Sequence, residues 1–258
     1  MKLVLNEQTK VNQLITIFKN LKVFTTNLVI NMNEEKGIFI QGIDNTQCCL
    51  CEVKIVPSWF SVFEFDANND MPVIGINTII LQKVMNTYTD GQSIELITNG
   101  EADKLTILFL GKEDVFNKHF EIPLMNIEVD ILAIPEEEKQ VDLTIETKIF
   151  VELINQLQIF DDTLKVTFSE DSMEFIASGI EGEMKVNVSL DDVIEYGVEE
   201  ELILTQNYSL RFIQLMCAFN KLSTEMCITF NDDKPMEGKY ILGENSYMSF
   251  FISPKIED

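Results

Sequence analysis

Val11, Leu14, Ile15, Phe18 and Leu21 recur at helical spacing, with Asn12, Gln13, Thr16 and Lys19 between them. This is the pattern of an amphipathic helix. Leu28, Ile30 and Met32 then alternate as a strand does, Glu34-Glu35-Lys36-Gly37 supplies a turn, and residues 38–40 open the next strand. Further strands are expected over 48–56, at Ile94 and Leu96, and over 105–110 and 116–124. A second helix is expected over 77–87, led by Asn77, a good capping residue. The same order follows in the second half. Helix 148–158 precedes strands 164–168, 173–177 and 184–188, and helix 208–221 precedes strands 226–230, 239–242 and 248–252. A helix with one apolar stripe must lay it on a sheet, so the fold class expected is α+β.

The halves are related residue by residue. Leu21, Phe24, Leu28, Glu34, Phe39 and Ile40 recur 136 positions later as Leu157, Phe160, Leu164, Glu170, Phe175 and Ile176. A solenoid period is about 20–50 residues, so this repeat means two copies of one domain. They are expected at 1–124 and 141–258, each with two helices packed on sheets. The segment 125–140 mixes Ile127, Val129, Ile131, Leu132 and Ile134 with Glu128, Asp130, Glu136, Glu137 and Glu138. Without Gly/Ser flexibility it reads as an ordered, extended connector.

Charge adds a second asymmetry. The chain carries a formal −24, from 43 acids against 19 bases, which taken alone argues against nucleic acid. The four expected helices nevertheless hold Lys10, Lys19, Lys22, Lys83, Lys148, Arg211 and Lys221 against one acid, Glu152. An even spread of acids would place about eight there. A neutral-to-basic helical face with acid elsewhere is the footprint of a protein that meets the DNA backbone without reading bases. A helix face that simply lacks acid is the plainer alternative.

Other chemistry is sparse. Cys48, Cys49 and Cys51 share one strand, and Cys217 and Cys227 are remote, which fits reduced thiols in a cytosolic or nuclear compartment. They lack the ligand set that zinc requires. The pairs Asp161-Asp162, Asp191-Asp192 and Asp232-Asp233 read as turns, because adjacent carboxylates on a strand point to opposite faces. The single histidine, His119, leaves no nucleophile triad. There is no Gly-rich phosphate loop. No enzyme activity, cofactor or metal is expected, nor a signal peptide or membrane span.

Three motifs carry a resemblance: LAIPEEE (132–138), FIASGIEGEMKV (175–186) and the terminal SPKIED (253–258). With the duplicated halves, they resemble the proliferating cell nuclear antigen family, the eukaryotic sliding clamp, over essentially the whole length. The resemblance implies a homotrimeric ring of six similar domains. Helices line a hole sized for duplex DNA, and the ring tethers polymerase, clamp loader and repair proteins. Partners would dock a short helical PIP-box motif into a pocket of Ile43, Cys48, Leu50, Leu132, Ile134, Pro135, Pro235, Phe251, Ile252, Ser253 and Pro254. Ring closure would pair strand 115–124 with strand 183–188 of the next copy, through Phe120, Ile122, Met184 and Val186. The site of action would be the nucleus, or a viral replication site if the chain is virus-encoded.

The sequence departs from the family at Pro123 on the interface strand, at Glu152 and Asn155 where relatives are basic, and at Glu170, where relatives carry a modified lysine. These departures and the single arginine point to a divergent member. A clamp-fold protein of other assembly (a monomeric processivity factor or a heterotrimeric checkpoint subunit), an acidic scaffold that never meets DNA, and a metal-dependent hydrolase remain as alternatives at this stage.

Overall fold

Antiparallel strands and four short helices make up the computed structural model, which describes residues 1–66, 70, 72–98, 103–111, 115–127, 130–135 and 138–255. The first half contains β1 (Lys2–Leu5), α1 (Gln8–Asn20), β2 (Asn27–Asn33), β3 (Gly37–Ile43), β4 (Cys49–Ile55), β5 (Val62–Glu64), β6 (Val73–Asn77), α2 (Thr78–Met85), β7 (Ser93–Ile97), β8 (Lys104–Leu110) and β9 (Lys118–Pro123). The second contains β10 (Val141–Glu146), α3 (Thr147–Leu157), β11 (Thr163–Ser169), β12 (Ser172–Gly179), β13 (Gly182–Val188), β14 (Glu195–Val198), β15 (Leu204–Ser209), α4 (Leu210–Cys217), β16 (Glu225–Phe230), β17 (Met236–Gly243) and β18 (Ser246–Ile252). The connector residues Glu128, Val129, Glu136 and Glu137, and residues 256–258 of the terminal motif, lie outside the described residues.

Two compact units result. Met1–Asn45, Cys51–Leu132 and Leu242–Met248 form the first, and Thr46–Leu50, Ala133–Ile241 and Ser249–Asp258 the second. Strand neighbours in the first half run β5-β1-β7-β8-β9 and β4-β3-β2-β6; in the second they run β14-β10-β16-β17-β18 and β13-β12-β11-β15. The second pair of orders is the first with each strand replaced by its counterpart. The sequence shift carries β2 onto β11 end for end.

Alternation fixes the registers. On β11, Leu164, Val166 and Phe168 are buried while Lys165 stays exposed, and Val166 pairs with Phe175 of β12. A one-residue slip would invert every one of these side chains. In the first unit α1 packs on α2, β1 and β7, and α2 packs on β6 and β9. In the second, α3 packs on α4 and β10, and α4 on β15. Fully buried aromatics close each core. Trp59 in the first unit donates its indole N–H to the Leu242 carbonyl at 3.0 Å, and Tyr240 in the second donates to the Met216 carbonyl at 3.0 Å. Each satisfies the polar group that burial would otherwise strand.

Helix ends differ from expectation for local reasons. Tyr208 belongs to β15, opposite Leu164 of β11, so α4 starts at Leu210 rather than 208. After Cys217 the chain tightens through Phe219 N–H to Met216 C=O and Asn220 N–H to Cys217 C=O, at 3.0 and 3.1 Å. Lys221 therefore lies beyond the helix. Similarly, α1 ends at Asn20, and Lys22 sits on a 3₁₀ turn, Leu21–Val23. The start of α2 follows the sequence reading: the Asn77 side-chain oxygen accepts from the Ile79 and Ile80 amides at 3.0 and 3.1 Å.

All five cysteines lie outside any disulfide. Burial pushes the Cys51 and Cys217 thiols up to about 12, which leaves them inert. The aspartate pairs shape turns: Asp161 accepts from the Thr163 amide at 3.2 Å, Asp191 and Asp192 lie in a 3₁₀ turn, and Asp233 takes a left-handed φ of 54°.

Replacing Asn77 by Ala removes the acceptor of two α2 amides. The expected cost is about 1 kcal/mol, read as a lower urea midpoint with unchanged slope; an unchanged midpoint would show that α2 does not depend on its cap.

Candidate nucleic-acid and partner interfaces

Each helix pair turns one side to its sheets and the other to solvent. The helices themselves contain Lys10, Lys19, Lys83, Lys148 and Arg211 and one acid, Glu152. Their outer surface is less basic than the sequence count suggests. Exposed positions include Thr9, Asn12, Asn155 and Gln156, and also Ile79, Ile80 and Ile149, at 46%, 36% and 43% exposure. The surface is chiefly depleted of acid. Lys83, Lys148 and Arg211 are exposed on it, Lys19 is half-buried, and Lys22 and Lys221 are exposed just off helix ends.

Lys10 is different. Its ammonium lies 2.6 Å from Glu244 and 3.5 Å from Glu7, and 5.9 Å from the Trp59 ring centroid. The hydrogen bond to Glu244 raises the Lys10 pKa and lowers that of Glu244. With two carboxylates on one ammonium, Lys10 brings no net positive charge to the helix face. It is engaged in ion pairs within its own unit. Glu244 and Asn245 both take left-handed φ values, 53° and 65°, so the ion pair also ties down a tight hairpin tip of the same unit.

Strand ends define a second kind of surface. The end strands are β5, β9, β13, β15, β6 and β14. An end strand displays unpaired N–H and C=O groups that invite another strand. β5 and β14 are only 3 and 4 residues long. β6 is covered where the Met125 amide reaches the Gly75 carbonyl at 2.8 Å. No side chain fits at Gly75, since a Cβ would stand 2.4 Å from the Met125 oxygen. β15 is covered where the Lys255 amide reaches the Asn207 carbonyl at 2.7 Å. Among the described residues this leaves β9 and β13, 6 and 7 residues long, without a covering segment.

The approach to β9 is held by polar contacts. Buried Gln92 donates to the Phe116 carbonyl at 2.7 Å, and Lys118 donates to Thr89 Oγ1 at 2.8 Å and to the Thr87 carbonyl. Phe120 is half-buried against Phe109, and Met184 and Val186 are half-buried on β13. Ile122 is 3% exposed. It points into its own unit, so its place in the interface set is corrected. Sequence reasoning missed three strongly exposed apolar residues: Phe116 at 86% exposure, just before β9, Ile180, fully exposed just before β13, and Ile159 at 73%, just after α3. As apolar residues in a periodic pattern they look like core; only register and turn geometry put them outside. Pro123 is the last residue of β9, so its missing donor falls at the end of the ladder.

Of the docking residues, Ile43 and Leu132 belong to the first unit and the others to the second. Leu50 is 9% exposed and Ile252 fully buried. Both are core side chains, which corrects their assignment as direct contacts. Ile43, Cys48, Ile134, Phe251, Ser253 and Pro254 are half-buried; Leu132, Pro135 and Pro235 are exposed. Within the second unit the Ser253 amide meets the Cys48 carbonyl at 2.9 Å, which brings the tail beside Cys48. Lys255 fixes the tail further by donating to Thr163 Oγ1 at 2.6 Å. Glu170 accepts from the Glu201 amide at 2.8 Å and so has a structural task of its own.

A doubled body, a helix pair on antiparallel sheets in each half and a connector between them, is the architecture of the DNA sliding clamp. Residues 2–132 match the model of the proliferating cell nuclear antigen N-terminal domain, and residues 133–255 match that of its C-terminal domain. The chain belongs to the proliferating cell nuclear antigen family. Similar relatives include proliferating cell nuclear antigen 1 of Plasmodium falciparum, 24% identical over 94% of both chains, and the antigen of Chaetomium thermophilum, 25% identical over 87% of both. Proliferating cell nuclear antigen 2 of Drosophila melanogaster is 20% identical over 87% of both. Members of this family are non-enzymatic sliding clamps that act as processivity factors in DNA replication and repair.

The Lys10–Glu244 pair gives a pH signature. Glu244 is depressed below 4.5, so its contribution is present above that value and is lost as pH falls through its folded pKa. Lys10 is raised above 10.5, so its contribution is lost only as pH rises through a still higher value. The difference in urea midpoint between wild type and Glu244→Gln is therefore expected to be constant from pH 6 to 9 and to shrink under acid. A difference that persists at low pH would remove the ion pair as its cause.

Proposed function

We propose that three copies close into a ring by pairing β9 of one copy with β13 of the next, and that this ring encircles duplex DNA. The observation that carries the reading is the pair of long end strands, one in each unit, that are uncovered among the described residues, where the other end strands are short or covered. Phe120, Met184 and Val186 supply apolar contacts along the pairing, and Phe116, Ile159 and Ile180 extend them. Residues 125–140 serve as the connector between clamp domains 1–124 and 141–258.

DNA contact falls to Lys19, Lys22, Lys83, Lys148, Arg211 and Lys221. Lysines reach phosphate rather than base edges, so the contact is independent of sequence and sensitive to salt. The acid elsewhere on the chain keeps DNA off the remaining surface. Polymerase, clamp loader and other partners dock a helical PIP-box segment on Ile43, Cys48, Leu132, Ile134, Pro135, Pro235, Phe251, Ser253 and Pro254, as helix-in-groove ligands do. The ring converts repeated polymerase release into intramolecular rebinding. Its place of action is the nucleus, or a viral replication site for a virus-encoded chain.

Light scattering of the purified protein tests closure. The expected mass is three times that of one chain, and Phe120→Asp is expected to shift it to one; a wild-type mass of one chain overturns the ring and favours the monomeric alternative.

The helix contacts are tested by salt titration on linear duplex. Removing Lys83, Lys148 and Arg211 together is expected to flatten log K against log salt by roughly 0.9 for each phosphate no longer neutralised. Lys10→Ala is expected to leave the slope unchanged. A triple variant with the wild-type slope would rule out these helices as the DNA face.

A further inference from the structure

Residues 130–135 of the connector have no helix or strand of their own. An extended segment of this kind holds a fixed course only where other groups grip its backbone. One such grip comes from Gln41, half-buried on β3. Its amide nitrogen donates to the Leu132 carbonyl at 3.0 Å, and its amide oxygen accepts from the Leu132 N–H at 2.8 Å. A glutamine amide offers the same donor and acceptor as a peptide unit. The contact is therefore a two-point imitation of a strand ladder, made by one side chain.

The grip is well placed. The connector's start is fixed by the Met125 amide on Gly75 at 2.8 Å. Its far end is fixed within the second unit by Gln140. There the Gln140 amide donates to Asn231 Oδ1 at 2.8 Å, and Gln140 Oε1 accepts from the Asp232 amide at 2.7 Å. Gln41 takes hold near the midpoint. It holds backbone only, and the Leu132 and Ile131 side chains remain 50% and 51% exposed.

We propose that Gln41 is a positioning residue for partner docking: it sets the backbone of Leu132 before a partner arrives. The inference rests on the docking reading above. The physical case is preorganisation. A docking segment that meets a connector already held in place need not order it on binding, and affinity gains what that ordering would have cost. The two hydrogen bonds do little for global stability, because their loss frees a solvent-exposed segment that water can satisfy.

The test uses the full-length protein and a fluorescent synthetic peptide carrying a PIP-box helix with adjacent aromatic anchors. Gln41→Leu keeps a side chain of similar bulk, one atom shorter, and removes both hydrogen bonds. Gln41→Glu keeps one acceptor and sets a negative charge beside the Leu132 carbonyl. Both are expected to weaken the peptide by about tenfold, the order set by two surface hydrogen bonds. Both are also expected to speed hydrogen exchange at the Leu132 amide, with the urea midpoint and the mass in solution unchanged. Wild-type affinity in Gln41→Leu overturns the inference alone. So does a loss of affinity matched by a fall in urea midpoint, since that would mark a merely structural residue. Failure of the wild-type protein to bind the peptide overturns the docking reading, and the inference falls with it even if Leu132 exchanges faster in the variants.

Discussion

A β-sheet cannot end without leaving peptide groups unpaired, and much of this molecule is arranged around where its sheets end. A strand of three or four residues, as in β5 and β14, offers little for another chain to pair with. The longer β6 and β15 are met by other parts of the chain, Met125 and Lys255, through single backbone hydrogen bonds. The two coverings occupy equivalent places in the duplicated design. One is made by the connector and the other by the tail. Duplication thus accounts for four ends and, among the described residues, leaves β9 and β13, one from each unit, uncovered. A contact between unlike surfaces propagates from copy to copy until the rotation closes it. The ring proposed above would follow from that geometry.

Charge placement works with the same constraint. A chain with formal charge −24 repels DNA over most of its surface. The helices avoid this by omission, since Glu152 is their single acid. The structure moves the emphasis from attraction to the absence of repulsion. Lys10, basic in sequence, is engaged with Glu244 and Glu7, while isoleucines occupy exposed positions on α2 and α3. A clamp that moves along DNA needs few strong contacts, because each phosphate held firmly would resist movement. In the proposed ring, a largely neutral helix face with scattered cations would serve sliding better than a dense basic stripe.

How much of this was legible in the sequence depends on whether the feature is local. The stretch from α1 to β3 and its copy from α3 to β12 showed directly, because apolar spacing and identity survive together there. The cap at Asn77 was also legible, since it needs only its own next residues. The boundary at Tyr208 was not, because its place on β15 depends on pairing with Leu164 more than 40 residues earlier. Exposure was the least legible property. Ile122 and Phe116 are both apolar, yet one is buried and the other stands in solvent. The difference lies in strand register and in the hydrogen bond from Gln92 to the Phe116 carbonyl. Leu50 and Ile252 are buried for the same reason, which the sequence alone does not show.

The amide side chains show why an irregular connector can still be a precise surface. A strand partner for the connector would have to fix many consecutive residues, and it would bury the very side chains that the proposed docking helix would reach. A single glutamine fixes one peptide environment and leaves its neighbours open. Gln41 does this to Leu132 in the first unit. In the second unit the work is divided: the Gln140 side-chain oxygen accepts from the Asp232 amide, and the Asn231 side chain accepts from the Gln140 amide. Asparagine would be too short to span the gap between strand and connector, and glutamate would lose the donor. A chain poor in basic side chains and rich in carboxylates gains here from neutral amides. They grip backbone without adding charge beside the residues proposed above to receive apolar anchors.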